Sequence, residues 1–110
     1  MSIEYLALPD SEDDLLAALE DARFSRRRTG ASSWRAWQDG NQPGRVLEQF
    51  VVASWEDHLL QHARVTVRDK ARYEAIRAMT DPAHPTVVTH WLTPQPRRAD
   101  RDGNPPGVPR

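Results

Sequence analysis

Residues 45–62 read RVLEQFVVASWEDHLLQH, and the fold hinges on how that stretch divides. Arg45 to Ala53 reads as a strand that runs straight into a helix starting at Trp55. Ser54 is a good N-cap, and Glu56 and Asp57 suit the positive end of a helix. His58 and His62 stand at i and i+4, so they share a face. Trp55 sits at the strand-to-helix joint beside them. An aromatic ring and two titratable imidazoles at one junction suit a small-ligand pocket, and an ordinary domain edge can carry the same residues.

Working outward, Ile3 to Leu8 is predicted to be a first strand, closed by Pro9. Ser11 caps a helix whose opening acids, Glu12, Asp13 and Asp14, complement its dipole. Leu15, Leu16, Leu19 and Ala22 recur at helical spacing, giving that helix one apolar face as far as Arg26 or Arg27. Thr29-Gly30 ends it, with Gly30 as a left-handed cap. Ala31 to Trp37 is a second strand, joined through the turn chemistry of residues 39–44 to the strand from Arg45, as an antiparallel hairpin. The helix from Trp55 is expected to reach about Arg64. Thr66-Val67-Arg68-Asp69 spells a capping box and starts a further helix through Met79, which Asp81-Pro82 breaks. Thr86 to Thr93 is expected to be the last strand.

The order strand, helix, strand, strand, split helix, strand is the split βαβ pattern of an α+β, ferredoxin-like domain over residues 1–93. A four-stranded antiparallel sheet with helices on one face leaves its other face needing cover, and a second subunit is the usual supply. A homodimer is therefore expected. From residue 94 to 110 the chain is rich in Pro and Arg with almost nothing apolar, and a flexible tail is expected there.

The chain has 110 residues and a formal net charge of -1. That length fits one domain, and there is no global basic field to attract nucleic acid. Arg26-Arg27-Arg28 is too short to be a phosphate-binding surface and reads as a helix end or salt-bridge cluster. Cysteine is absent, which excludes disulfides, thiolate metal sites and a cysteine nucleophile. No apolar run approaches the ~20 residues needed to span a bilayer, and the first residues do not form a signal peptide. A cytoplasmic protein with no membrane insertion is the expectation.

The candidate site is built on the helix from Trp55. At about 100° per residue, its apolar positions, from Trp55 through Leu59, Leu60 and Ala63 to Val67, cluster on one side. His62 falls at the edge of that stripe beside Trp55 and Thr66, so it is expected at a pocket rim. His58 falls roughly 40° further out and is expected toward solvent or a dimer partner. As catalytic candidates, the two histidines offer a general base or a substrate hydrogen-bonder. The plainer reading is a boundary pair making a neighbour or dimer contact. His residues at i and i+4 can chelate one metal, but a catalytic zinc site needs at least one more ligand, from Glu48, Asp57 or His90, and the pattern His-Glu-x-x-His is absent, so neither metal nor cofactor is expected. Trp34 and Trp37 face opposite sides of one strand, as do His90 and Trp91. Trp55 and Trp34 are expected as walls against a flat aromatic ligand. Arg28 and Arg35 suit a phenolate or carboxylate, and Tyr5 and Tyr73 suit proton donation. There is no glycine-rich phosphate loop.

Arg26-Arg27-Arg28-Thr29-Gly30-Ala31, then Trp34, Asp39 and Glu48-Gln49-Phe50, then the run from Ser54-Trp55 through His58 and Gln61-His62 to Arg64-Val65-Thr66, form an ordered series. It resembles the C-terminal soluble domain of major facilitator transporters of the enterobactin-exporter, or transmembrane secretion effector, type. That domain in turn looks like the antibiotic biosynthesis monooxygenase superfamily of dimeric α/β barrels, whose members include cofactor-free oxygenases acting on aromatic polyketides and haem-degrading enzymes. The resemblance spans roughly residues 3 to 92. It implies a ferredoxin-like protomer, a dimer and a cavity between sheet and helices. No transmembrane helix precedes residue 3, so the chain is read as a free-standing relative or an excised domain. Two functions follow as expectations. One is a small-molecule-binding, monooxygenase-like protein, in which catalysis would be a cofactor-independent oxygenation or tailoring of an aromatic polyketide-type substrate. The other is a non-catalytic dimerising or ligand-sensing domain like the transporter appendage.

Overall fold

The computed structural model describes residues 1–92, and the tail expected over 94–110 lies outside them. The elements follow the order β1 (Ser2–Leu6), α1 (Glu12–Arg28), β2 (Ala31–Gln38), β3 (Arg45–Val52), α2 (Trp55–Ala63), α3 (Val67–Ala78) and β4 (Val87–Thr89). The four strands form one antiparallel sheet in the order β2-β3-β1-β4. This is the α+β, ferredoxin-like arrangement that the split βαβ order predicts.

The core lies between one sheet face and the helices. Ile3 and Tyr5 of β1 and Val46 and Phe50 of β3 are buried there. Leu15, Leu19 and Ala22 of α1 and Ile76 of α3 are buried against them in one cluster. Full burial of a leucine contributes about 1.5–3 kcal/mol, so Leu15 and Leu19 anchor α1 strongly. The opposite parity of the strands leaves Trp37, Val51 and Val87 about half exposed.

Local chemistry sets the boundaries. The Ser54 hydroxyl accepts from the Asp57 N–H at 3.0 Å and starts α2. Thr66 and Asp69 form a reciprocal capping box at α3. Ser11 stands at the N-cap of α1 but makes no side-chain cap bond. In the β2–β3 turn the Asp39 carboxylate accepts from the Asn41 and Gln42 N–H groups. Gly44 there has φ +85, and a Cβ would meet the Ala7 carbonyl oxygen at 3.4 Å. Between Ser32 and Arg35, β2 spends three steps where β3 spends two, a bulge in which Ser33 has φ 51. Within it Trp34 packs on the core, and beyond it Trp37 stays exposed, so the two indoles face opposite sides.

Two expectations are corrected. The last strand is three residues long, not the eight of 86–93. Thr89 already stands opposite Ser2 at the start of β1, and the Leu6 carbonyl accepts from Asp81 rather than from a longer β4. The second correction concerns the phase of α2. Its buried residues are His58 and Gln61, 7% and 6% exposed, whereas Leu59 and Leu60 are 55% and 43% exposed. The apolar stripe faces outward and a polar stripe faces the sheet. His58, expected toward solvent, is the inner histidine, and His62 is the exposed one.

Candidate functional site

Because α2 turns His58 inward, the histidine meets two cavities at once. The first, about 480 Å³, lies under α2 and α3 and is lined by Tyr5, Arg26, His58, Gln61, His62 and Tyr73, with Lys70 and Arg77 among its basic residues. The second, about 600 Å³, opens beside the start of α2 and is lined by Val52, Trp55, His58, His90 and Trp91. His58 and Met1 line both.

Three imidazoles and an indole gather around that shared wall. His58 Nε2 and His90 Nε2 are 3.2 Å apart. The His58 ring is edge-on to His62, with centroids 5.0 Å apart, and to His90, at 4.8 Å. Trp55 lies 5.2 Å from both His58 and His90. Burial, together with the neighbouring charges of His62 and His90, lowers the His58 pKa, and its ring is neutral near neutral pH. His58 Nδ1 and Gln61 Nε2 are buried without a hydrogen-bond partner.

Beneath the first cavity lies Glu48, a candidate from the sequence only as a metal ligand, and it is fully buried. Its carboxylate accepts from Tyr5 Oη at 2.9 Å, from Trp34 Nε1 at 2.8 Å, and from Arg26 Nε and Nη2 at 3.1 Å each. Arg26 also stacks over Tyr73 and Phe50, 4.5 and 4.9 Å from the ring centroids. Burial raises the Tyr5 pKa and the Glu48 charge raises it further, so the phenol stays protonated and bound to the carboxylate. Burial alone lowers the Arg26 value, but the attraction and hydrogen bonds of Glu48 carry it upward, and the guanidinium stays charged. The signal for Glu48 was in the sequence. It alternates with Val46 and Phe50, and that parity faces the core.

The structure thus brings Tyr5, His58 and His62 together around one cavity and sets Trp55 against the other. Trp34 lines neither; its indole holds Glu48 and lies under Arg23, 5.8 Å away. Arg28 lies apart from both cavities, bound to the buried Asp69 and to the Arg64 carbonyl at 3.3 Å. Arg35 is exposed on β2. Among the described residues no group of three or more His, Asp or Glu is arranged to hold a metal ion, and no helix is long and apolar enough to cross a membrane.

A family model described as transmembrane secretion effector matches residues 1–99. No curated protein matches the sequence. Solved structures share the fold. A Bordetella bronchiseptica protein provisionally named an antibiotic biosynthesis monooxygenase superposes with a TM-score of 0.69 and 18% identity, over 86% of this chain and 95% of its own. One of the same provisional name from Nitrosomonas europaea gives 0.65 and 16% identity, over 84% and 88%. A third, from Chloroflexus aurantiacus, gives 0.60 and 21% identity, over 84% and 94%. At these identities the likeness establishes the fold.

Proposed function

The chain belongs to the transmembrane secretion effector family, and from that premise we propose that it is a small-molecule-binding protein whose ligand is a flat aromatic compound carrying a phenolic or other anionic head. The observation that carries this reading is the first cavity. Ile76 and Val88 give it apolar walls, and Lys70 and Arg77 give it cationic side chains, while the Arg26 charge is met by Glu48. An apolar pocket with a few polar groups suits a ring system with one charged end.

Oxygenation without a cofactor is the chemistry this site favours. His62, exposed yet lining the cavity, is the proposed base, and His58 is the second catalytic candidate, neutral beside it. Removing a proton from an anthrone-like carbon gives a carbanion that reduces dioxygen. The peroxide formed by recombination loses water and leaves a carbonyl, so one oxygen atom enters the product and the other leaves as water. Trp55 is proposed as an aromatic wall from the second cavity. Tyr5 contributes a fixed, protonated phenol and not a mobile proton, because its hydroxyl is committed to Glu48. The family match supports a second reading, a ligand-binding appendage without turnover.

The exposed sheet face supports a homodimer. Trp37, Val51 and Val87 place apolar surface there with no covering element among the described residues.

Oxygen uptake with product mass analysis, on a panel of anthrone-like and hydroquinone-like polyphenols, separates the readings. Turnover that survives a chelator and falls in His62→Ala supports the oxygenase. Quenching of tryptophan fluorescence by the same compounds without turnover supports the appendage, and neither response overturns the ligand assignment.

A further inference from the structure

Three of the chain's four histidines converge at the seam between α2 and the end of β4, although His58 and His90 are 32 residues apart. The two Nε2 atoms lie 3.2 Å from one another. Two nitrogens each about 2.0–2.1 Å from a tetrahedral zinc ion stand about 3.3–3.4 Å apart, so the observed separation already matches a shared ion. His62, one helical turn on from His58, packs edge-on to it and adds a third imidazole at the same seam.

The surroundings of His58 bear on which nitrogen is free. Its Nδ1 and the Gln61 Nε2 are both buried and unpartnered, and the Gln61 side chain is close enough to influence His58. The ends of a carboxamide are interchangeable in shape. With Gln61 turned over, Oε1 faces the His58 Nδ1 and accepts from an Nδ1–H. That tautomer leaves the His58 Nε2 lone pair directed at His90, and the Nδ1–H held by an acceptor is the second-sphere arrangement that metal-binding imidazoles adopt.

We propose that His58 and His90 form a two-imidazole site for a borderline divalent cation of the zinc or copper(II) kind, which clamps β4 to α2. Imidazole ligands favour these ions over calcium or magnesium, which prefer carboxylate and carbonyl oxygen. The protein supplies two ligands, water completes the set, and His62 is the nearest further imidazole. The clamp has a structural use. β4 is three residues long and pairs with β1 alone, so an ion tying His90 to α2 fastens the end of the edge strand to the helix. The ion would share His58 with the proposed site but does not depend on a ligand or on turnover there.

The test is calorimetric titration of the chelator-treated protein with zinc sulfate at pH 7.5, repeated with copper(II) and electron paramagnetic resonance. One ion per chain is expected, with copper hyperfine structure from two imidazole nitrogens. Affinity should fall about tenfold or more in His90→Ala and in His58→Ala and stay unchanged in His84→Ala, since losing a ligand costs no less than losing its outer-sphere partner. His90 is exposed, so its variant folds even where His58→Ala does not. Zinc should also raise the melting temperature of the wild type and leave that of His90→Ala unmoved. No saturable binding, or binding that persists in His90→Ala, overturns the proposal, and neither readout depends on turnover.

Discussion

Glu48 governs the interior more than any other single residue. Arg26 is 13% exposed in its side chain and meets the fully buried carboxylate through two hydrogen bonds. Breaking a buried pair strands the remaining charge, so Glu48→Ala should destabilise the fold by about 3–5 kcal/mol in urea titrations. Tyr5→Phe removes one donor from the same carboxylate, which keeps Arg26 and Trp34, and should cost about 1.5–3 kcal/mol. Equal losses in the two variants would mean that the charge is not the main term. His58 carries a pH dependence of definite sign. Its folded pKa is lowered by burial and by His62 and His90, with a smaller contribution from the N-terminal amine. In the unfolded chain it titrates near 6.5, so just below about pH 6.5 the unfolded state holds the extra proton. The stability contributed by the neutral ring is therefore full above that pH and falls as the pH drops toward the lower folded value. With a chelator present, the urea midpoint of the wild type should decline across that window more steeply than that of His58→Gln.

At the scale of the elements, the caps give a sharp contrast. Thr66→Ala should cost about 1 kcal/mol, because its hydroxyl is half of a closed capping box. Ser11→Ala should change stability by less than about 0.5 kcal/mol, since Ser11 makes no side-chain cap bond. Thermal melts of the two variants check the difference. The element order, the hairpin and the caps at Ser54 and Thr66 were all readable, because they depend on residues within a few positions of one another. The phase of α2 was not. Apolar periodicity marks a stripe, but the side of the helix that meets the sheet is decided by docking, and here the docked side carries His58 and Gln61. His90 could be named from the sequence as one of three residues able to join the pair, but its meeting with His58 could not be chosen, because it follows from the sheet order that sets β4 beside β1. The burial of Glu48 was legible in its strand parity, which is that of two core residues, yet from the sequence it was weighed only as a metal ligand and not as the partner of Arg26.

At the scale of the molecule, the uncovered sheet face sets the association behaviour. Val51 is 53% exposed on that face, and Val51→Lys should shift the protein toward monomer in sedimentation velocity while leaving its circular dichroism unchanged. A wild type that sediments as a monomer at every concentration would remove the dimer assignment. The edges of the sheet matter in another way. β4 is too short to template much, which leaves the eight-residue β2 as the long outer strand. The extra residue around Ser33 and Trp34 breaks its hydrogen-bonding repeat near the middle. Interrupted edges resist adding a foreign strand. Deleting Ser33 would straighten that border, and the cost would be counted less in folding energy than in shelf life, as slow growth of thioflavin-positive fibrils in a protein that otherwise keeps.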